Sequence, residues 1–284
     1  MKIVFACVIC GCSDVRKKIS QFAPFVAHRL FDYPMVKISF GGGAHIPPPV
    51  LTNALRCPAC GFVFSQMRPD DDEMARLYAG YRGPHYVDER DAYEPGYRAL
   101  NPLIGNGPDE IENRQKAMAD FLGAAADLSS VRRVLDYGGD QGQHIPRILS
   151  AGEKIVYDIS GKEPVPGVRS VRSLDGVRGV DFLMMSNVLE HVSYPTALLD
   201  DAAAVMAPGG FLFIDVPLEM SAADEIGEDE IPAFFHEHIN FFSPRSLTRL
   251  IEIGGFILDR IAVVEIDYGW TTARAIFALA AKGA

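Results

Sequence analysis

Residues 133–142, with the sequence RVLDYGGDQG, decide the fold that we predict for this chain. A short apolar strand ends near Asp136, a glycine-rich turn follows, and a helix is predicted over 143–151. Glycines in such a turn admit positive φ angles and let a ligand approach the main chain. A second acid, Asp158, follows the next predicted strand about 20 residues on, the spacing of an acid that binds a ribose. The stretch therefore predicts a site for a nucleotide-like cofactor.

The C-terminal part of the chain, residues 109–284, alternates predicted strands with predicted helices. Further strands are predicted at 154–158, 168–171, 181–187, 211–216, 256–264 and 275–281. Helices are predicted at 109–126, at 192–206 and after Ser243, where serine followed by proline is typical of a helix start. This order predicts an α/β fold with a doubly wound, Rossmann-like sheet. Its ligands would lie beyond the carboxyl ends of the strands, beside Tyr137, Asp158 and Asn187.

Composition and charge narrow the classes of partner. The chain has 284 residues and a formal net charge of −10, whereas broad nucleic-acid binding needs a basic surface. No run approaches the roughly 18 apolar residues of a membrane span. Residues 1–7 are too short an apolar run for a signal peptide. We therefore expect a cytoplasmic protein that acts on a small molecule, with no nucleic-acid or membrane partner; the oligomeric state stays open.

All five cysteines lie within residues 1–60, and four of them form two C-x-x-C-G units. The units are Cys7-Val8-Ile9-Cys10-Gly11 and Cys57-Pro58-Ala59-Cys60-Gly61. A two-residue spacer lets both thiolates reach one ion, so the four sulfurs predict a closed, structural zinc site. Cys12 is predicted to be spare. The alternatives are buried free cysteines or a redox pair. A zinc-binding domain is predicted over 1–68, with an excursion between the units that includes 41–43 and 47–49.

Residues 69–108 are predicted to form a connector that carries a cluster of tyrosines. Arginines and histidines are interspersed with these tyrosines, and such side chains can line a pocket for a polar ligand. Tyr81 and Tyr86 are accordingly candidate substrate-binding residues. The alternative is a partly buried aromatic seam between domains. A break at 106–108 then separates the connector from the α/β domain predicted over 109–284.

The glycine spacing of the first turn discriminates between cofactors. A dinucleotide fingerprint G-x-G-x-x-G that begins at Gly138 would need glycine where Asp140 and Gln143 stand. The alternative pattern D-x-G-x-x-x-G is met by Asp136, Gly138 and Gly142. With Asp158, residues 186–192 (SNVLEHV) and residues 207–210 (APGG), the order of motifs over about 110–284 resembles class I S-adenosylmethionine-dependent methyltransferases.

This resemblance implies a cofactor site for S-adenosylmethionine. The residues that it implicates in cofactor binding are Asp136, Tyr137, Gly138, Gly139, Gly142, Asp158, Ile159, Ser186, Asn187 and Val188. One departure is Asp140, which stands where the usual motif has its second glycine. Aspartate tolerates a left-handed backbone better than most residues do.

The whole chain also resembles C-methyltransferases of nucleotide-linked deoxysugars. That subgroup has a four-cysteine zinc domain, a tyrosine-bearing segment and a late Glu-His pair, which here look like the four cysteines, residues 78–97 and Glu237-His238. The resemblance implies methyl transfer to a small polar acceptor, with a nucleotide-linked or other sugar as the implied class. The acceptor atom (carbon, oxygen or nitrogen) stays open.

Proton removal from the acceptor is expected to involve residues 235–240, FHEHIN. Histidine accepts protons near neutral pH and a neighbouring carboxylate can orient it. We predict His238 as the base with Glu237 in support, and His236 as the alternate. The plain alternative is a histidine that is hydrogen-bonded in the loop before the Ser243 helix. Two other functions remain open: a noncatalytic nucleoside-binding protein, and a zinc-dependent interaction module on a degenerate core.

Overall fold

The computed structural model of the chain describes residues 1–32, 36–38, 44–46, 50–105, 107–219, 232 and 234–283. The segments 41–43 and 47–49 of the predicted excursion lie outside these described residues. Over the described part of the chain, no helix combines the length and the hydropathy that crossing a bilayer requires.

The described elements comprise short strands and one helix in the first 68 residues, three helices in the connector, and long strands thereafter. The strands are β1 (Lys2–Ile3), β2 (Arg16–Phe22), β3 (Val36–Ile38), β4 (Ala44–Ile46), β5 (Val50–Arg56), β6 (Val63–Ser65), β7 (Met67–Arg68), β8 (Arg133–Tyr137), β9 (Glu153–Tyr157), β10 (Arg169–Val171), β11 (Val180–Ser186), β12 (Met206–Pro217), β13 (Phe234–Phe235), β14 (Asn240–Phe241), β15 (Phe256–Asp267) and β16 (Thr272–Lys282). The helices are α1 (Pro24–Phe31), α2 (Asp71–Leu77), α3 (Pro84–Tyr93), α4 (Tyr97–Leu100), α5 (Pro108–Gly123), α6 (Pro195–Val205) and α7 (Pro244–Ile253).

A seven-stranded sheet organises the C-terminal part, with the order β10-β9-β8-β11-β12-β16-β15. The first five strands of this order are parallel, and β16 and β15 complete the sheet as antiparallel neighbours. The predicted doubly wound, Rossmann-like fold is therefore confirmed. The chain reverses its direction of winding between β8 and β11, and such a switch point is where sheets of this kind bind ligands.

Both faces of the sheet are covered, which explains the continuous apolar character of its central strands. On one face, Phe121 of α5 packs on Phe213 of β12 and Phe277 of β16, with ring centroids 6.0 and 5.6 Å apart. On the other face, Leu199 of α6 and Leu247 of α7 belong to the opposite apolar core. Helix α7 begins as predicted, with Ser243 and Ser246 capping each other's backbone N–H groups.

The helix predicted over 143–151 does not form, and turns occupy this part of the chain instead. Pro146 supplies the reason, because proline disfavours the helical conformation at the residue before it, Ile145. Only residues 147–151 then remain before Gly152, too few for a stable helix. The turn after β8 is instead held by a hydrogen bond from a later segment, because Val165 donates its backbone N–H to the carbonyl of Gln141 at 2.9 Å.

A second sheet of five strands has the order β13-β2-β5-β6-β14. Three of its strands come from the first 68 residues, while β13 and β14 come from residues 234–241. Strand β13 runs parallel to β2, and β14 pairs antiparallel with β6. The segment predicted to carry the acceptor-side histidines is thus anchored at both ends in the N-terminal sheet.

Candidate active site

The turn after β8 has three residues in the left-handed region. Their φ angles are 73° at Gly138, 53° at Asp140 and 77° at Gly142. A Cβ atom on Gly138 would lie only 2.7 Å from Cγ2 of Val188, which follows β11. Glycine is therefore required at 138 by both backbone conformation and space. Aspartate at 140 tolerates its conformation, so the departure from the usual motif leaves the turn intact.

Asp158 is joined to this turn by hydrogen bonds. Its carboxylate accepts the backbone N–H of Asp140 at 2.9 Å and that of Ser160 at 2.7 Å. Each carboxylate oxygen has a second lone pair, so Asp158 can still accept hydroxyl donors of a ligand. The sequence-predicted ribose acid thus lies beside the glycine turn.

Asp136 is buried beneath the same turn. It is fully inaccessible, and neither carboxyl oxygen has a hydrogen-bond partner among the described residues. A Cβ atom on Gly139 would lie 2.1 Å from its Oδ2. Burial, together with the charges of Asp158 and Asp140, raises the pKa of Asp136 to about 8.

These features fit the predicted cofactor. The buried carboxyl has no hydrogen-bond partner among the described residues, and the glycines leave space beside the backbone of the turn. A ligand could therefore approach the main chain there and form hydrogen bonds. S-adenosylmethionine carries a sulfonium and an ammonium group, and the acids Asp140 and Asp158 supply negative charge nearby. Asp140 is itself paired with Lys162, whose Nζ lies 2.9 Å from Oδ2.

The other predicted cofactor residues divide into two groups. Val188 packs against Gly138, and the ring of Tyr137 meets that of Tyr157 edge-on at 5.0 Å, both at the turn. Ile159 is 73% exposed beside Asp158.

Ser186 and Asn187 contact Asp215 of β12. Ser186 Oγ donates to Asp215 Oδ2 at 2.7 Å, and the backbone N–H of Asn187 donates to the Asp215 carbonyl at 2.9 Å. Asp215 is fully buried and forms an ion pair with Arg114 of α5. Sequence reasoning missed this pair, although an acid inside the apolar run of β12 was a visible signal. The pair fixes the end of β11, and with it the Asn187 backbone at φ 53°.

A row of three tyrosines lies beside the segment that carries Glu237 and His238. The rings of Tyr78, Tyr81 and Tyr86 meet edge-on, with centroids 5.3 and 5.4 Å apart. Tyr81 is half-buried, whereas Tyr86 is 1% exposed and donates its hydroxyl to Glu237 Oε1 at 3.2 Å. In this arrangement Tyr86 supports Glu237, and Tyr81 is the more accessible of the two candidate substrate contacts.

The carboxylate of Glu237 is engaged by Arg90. Both guanidinium Nη atoms contact it, Nη2 at 3.1 Å from Oε2. Burial favours the neutral acid, but the charge of Arg90 holds the pKa of Glu237 below its ordinary value. Glu237 therefore does not support His238 through its side chain, in contrast to the sequence prediction. Adjacent residues in an extended segment project in different directions, and only the fold reveals which partner each one meets.

His238 pairs instead with Glu219, which follows β12. Its Nδ1 lies 2.9 Å from Glu219 Oε2, and its ring meets that of His191 edge-on at 4.6 Å. Burial opposes the charged imidazolium, but the bond with Glu219 outweighs this and raises the pKa of His238 to about 9. A histidine in that state holds its proton at neutral pH, so it is poorly suited to act as a base there. His236 is exposed. The assignment of a base stays a prediction.

Two further residues complete this cluster at the end of β11. His191 Nδ1 lies 2.8 Å from the Tyr78 hydroxyl and 3.2 Å from the Glu237 carbonyl oxygen. Burial and the nearby His238 lower the pKa of His191 to about 3. Glu190 is 1% exposed, and both its carboxyl oxygens lack a partner among the described residues. Burial raises the pKa of Glu190 to about 8.

Sequence reasoning passed over Glu190 and Glu219. Glu190 stands within the quoted segment 186–192, directly after an apolar strand, and that position was the available signal. Glu219 follows the next strand in the sheet, so both acids lie at the same carboxyl edge.

The four cysteines of the paired motifs converge as predicted. Cys7 Sγ and Cys60 Sγ are 3.7 Å apart, Cys10 Sγ and Cys57 Sγ are 3.5 Å apart, and all four sulfurs lie within 4.8 Å of one another. Tetrahedral zinc with bonds of about 2.3 Å would separate its sulfurs by about 3.8 Å. Cys12 lies outside the cluster, as expected. The donor set fits a closed structural zinc site.

Gly11 and Gly61 give the two cysteine knuckles the same turn. Their φ angles are 73° and 77°, and their N–H groups bond to the carbonyls of Cys7 and Cys57 at 2.9 and 2.8 Å. The glycine after each C-x-x-C unit is thus needed for the turn beneath the sulfurs.

Comparison with known proteins gives matches over the same region. Residues 111–259 match a family described as a methyltransferase domain. The chain is 22% identical over 203 residues to the C-methyltransferase NovU of Streptomyces niveus. This match covers 65% of the chain but only 46% of NovU, so the chain spans about half the length of that curated relative.

Solved structures with a similar course of the chain include two methyltransferases. One is the 1,6-didemethyltoxoflavin-N1-methyltransferase of Burkholderia thailandensis, with 17% identity and a TM-score of 0.48, covering 82% of this chain and 96% of that one. The other is an S-adenosylmethionine-dependent methyltransferase of Mesorhizobium loti, with 15% identity and a TM-score of 0.42, covering 58% and 98%.

Proposed function

The chain belongs to the methyltransferase domain family, and we propose that it transfers a methyl group from S-adenosylmethionine to a small polar acceptor. The observation that carries this proposal is the glycine turn over Asp136. There a buried carboxyl has no protein partner among the described residues, and a Cβ at Gly139 would collide with it. Such a group is costly to bury unless a ligand satisfies it.

The proposed cofactor contacts follow from the chemistry of each residue. Asp158 accepts the ribose hydroxyls, the glycine backbone admits the cofactor, and the carboxylates of Asp140 and Asp158 offset its positive charge. Ile159, Val188 and Tyr137 supply apolar and aromatic surface at the same turn. When bound, S-adenosylmethionine supplies an electrophilic methyl group, and much of the rate comes from orienting the acceptor towards it.

A nucleotide-linked or other sugar is the acceptor class that we propose. The candidate acceptor side combines the half-buried Tyr81 with the His191–His238 pair, and hydroxyl-rich acceptors suit such a mixed aromatic and polar lining. The similarity to NovU, whose name makes it a C-methyltransferase, supports methyl transfer as the reaction. His238 is the proposed contact to the acceptor, and the cysteine cluster is proposed to bind zinc in a structural role.

The test begins with calorimetric titration of the purified chain with S-adenosylmethionine and S-adenosylhomocysteine. We expect both to bind, followed by a mass gain of one methyl group on an acceptor from a panel of nucleotide-linked sugars. Binding without product across the panel would favour a noncatalytic nucleoside-binding protein. No binding of either compound would contradict the site assignment as a whole.

A further inference from the structure

We propose that Glu190, His191 and His238 form a second metal site, which binds a divalent cation at the acceptor side. One ligand atom from each of these residues lies within 4.8 Å of the others. The cluster follows the carboxyl end of β11, at the sheet edge that also carries Asp136 and Asp158. Metal binding there is measurable without methyl transfer; only the role given to the ion rests on the proposed function.

The carboxylate of Glu190 is the first argument for a cation. It is 99% inaccessible, and neither oxygen has a hydrogen-bond partner in the described part of the chain. Buried carboxylates are normally hydrogen-bonded, paired with a cation or bound to a metal. The main chain of Glu190 is fixed independently, because its carbonyl accepts the N–H groups of Ile239 at 2.8 Å and Asn240 at 3.1 Å. The unpaired carboxylate is thus held in place beside the histidines.

The second argument is the way in which both histidines are oriented. Metal-binding histidines usually donate their other ring N–H to a carboxylate or a backbone carbonyl. His238 meets this rule through Glu219, at 2.9 Å from Nδ1, and His191 through the Glu237 carbonyl, at 3.2 Å from Nδ1.

The tautomer of His191 follows from its partners. Nδ1 lies between the Glu237 carbonyl oxygen at 3.2 Å and the Tyr78 hydroxyl at 2.8 Å, and both of these oxygens can accept a proton from it. The tautomer with the proton on Nδ1 satisfies both partners, and it leaves the lone pair on Nε2. That Nε2 lies 3.8 Å from Glu190 Oε1. Likewise, Nε2 is the nitrogen of His238 that Glu219 leaves available. We therefore propose the Nε2 atoms of both histidines and a carboxyl oxygen of Glu190 as the three donors.

Two imidazoles and one carboxylate form a donor set typical of zinc, iron(II) and other first-row divalent ions. Three protein ligands leave coordination positions open, unlike the closed four-cysteine site. A hydroxyl of the acceptor could occupy an open position, and the cation would then lower the pKa of that hydroxyl, so that its proton passes more readily to solvent. In that state His238 acts as a ligand, and it is not the free base that the sequence suggested.

Manganese(II) provides the direct test, because thiolates select softer ions and the cysteine cluster should keep its zinc. We would follow free manganese by electron paramagnetic resonance during titration of the full chain. The variants are Glu190→Gln and His238→Asn, with His236→Asn as the matched control. His236 is exposed and lies two residues from the site, outside the metal cluster.

We expect one manganese equivalent for the wild type and for His236→Asn, and affinity lower by about 100-fold or more in the two site variants. Glu219→Gln should weaken binding by about 10- to 100-fold. Circular dichroism and an unchanged zinc content would verify folding. The proposed metal site would be rejected if the wild type bound no manganese, cobalt or additional zinc. It would also be rejected if Glu190→Gln bound manganese with the affinity of the wild type. S-adenosylhomocysteine titrations of the same samples separate this failure from that of the proposed function.

Discussion

The guanidinium of Arg68 donates from Nη2 to Oδ1 of Asn240 at 2.7 Å and so joins β7 to β14. Arg68 is fully buried, and its other acceptors among the described residues are backbone carbonyls, of Ser65, Val192, Ser193 and Ile239. All these oxygens are formally neutral, and burial lowers the pKa of Arg68 to about 9. One cation therefore links the N-terminal sheet to the loop that carries His191.

Replacement of Arg68 should destabilise the N-terminal sheet and the loop that carries His191 together. We expect Arg68→Met to lower the free energy of unfolding by about 3 kcal/mol or more, because several buried carbonyls lose their donor. Urea unfolding followed by fluorescence measures this. Arg249→Lys is the control, since Arg249 is half-exposed and pairs with Glu252 on the surface, and it should change stability by less than about 0.5 kcal/mol. Equal effects of both substitutions would contradict the linking role of Arg68.

Asp158→Asn should weaken binding of S-adenosylhomocysteine by about 10-fold or more, because an amide cannot accept two backbone N–H groups and ribose hydroxyls together. Calorimetry measures the change. The matched control is Asp181→Asn, since Asp181 also accepts two backbone N–H groups, from Arg132 and Arg133, but lies at the opposite edge of the sheet. The control should keep full affinity; a comparable loss there would mean that the effect on binding is indirect.

Gly139→Ala should cost stability and cofactor binding, since its Cβ would lie 2.1 Å from the Asp136 carboxyl. We expect a loss of about 1–3 kcal/mol, typical of overpacking in a close-packed interior. Gly152→Ala is the control, because the nearest atom to its Cβ would be 3.9 Å away. Thermal unfolding should show a marked drop only for the first variant. An unchanged melting temperature in Gly139→Ala would reject the steric account.

The stability of the chain should depend on pH through Asp136. Its pKa is raised to about 8, so between about pH 4 and 8 the folded state keeps a proton that the unfolded state releases. The contribution of this group is fully present at low pH and decreases as pH rises, by about 1.4 kcal/mol per unit. Asp136→Asn removes this decrease, so the variant should gain on the wild type from pH 5 to pH 8. Parallel urea-unfolding profiles would falsify this prediction.

Loss of the proposed zinc ion should destabilise the N-terminal part of the chain. We expect Cys60→Ser to bind no zinc equivalent and to melt at a lower temperature, because a closed four-sulfur site contributes its binding free energy to folding. Cys12→Ser is the matched control and should keep the metal, since Cys12 lies outside the cluster. Elemental analysis and calorimetry measure both. Full zinc content in Cys60→Ser would exclude Cys60 as a ligand.

Local sequence patterns predicted most strands of the seven-stranded sheet, but they did not predict contacts between residues that are distant in the sequence. The apolar runs of β11 and β12 and the Ser243 cap act over a few residues, so the sequence displays them directly. Pro146 is equally visible in the sequence, and its effect on the backbone of Ile145 explains why no helix forms over 143–151. The pairing of His238 with Glu219 depends on two strands and a loop being folded, and adjacency to Glu237 suggested the wrong carboxylate. No local signal placed β13 and β14 in the N-terminal sheet.

The position of β13 and β14 in the N-terminal sheet limits where the chain can be cut into separately expressed fragments. A fragment that ends at residue 68 would keep the four cysteines but lose two of the five strands beside them. Its exposed edges, β2 and β6, would then be open to pairing with other chains. Conversely, the methyltransferase part expressed alone would carry residues 234–241 without the strands that position them. The N-terminal sheet and residues 234–241 are therefore interleaved, and a chimera with another protein of the family would have to exchange both together.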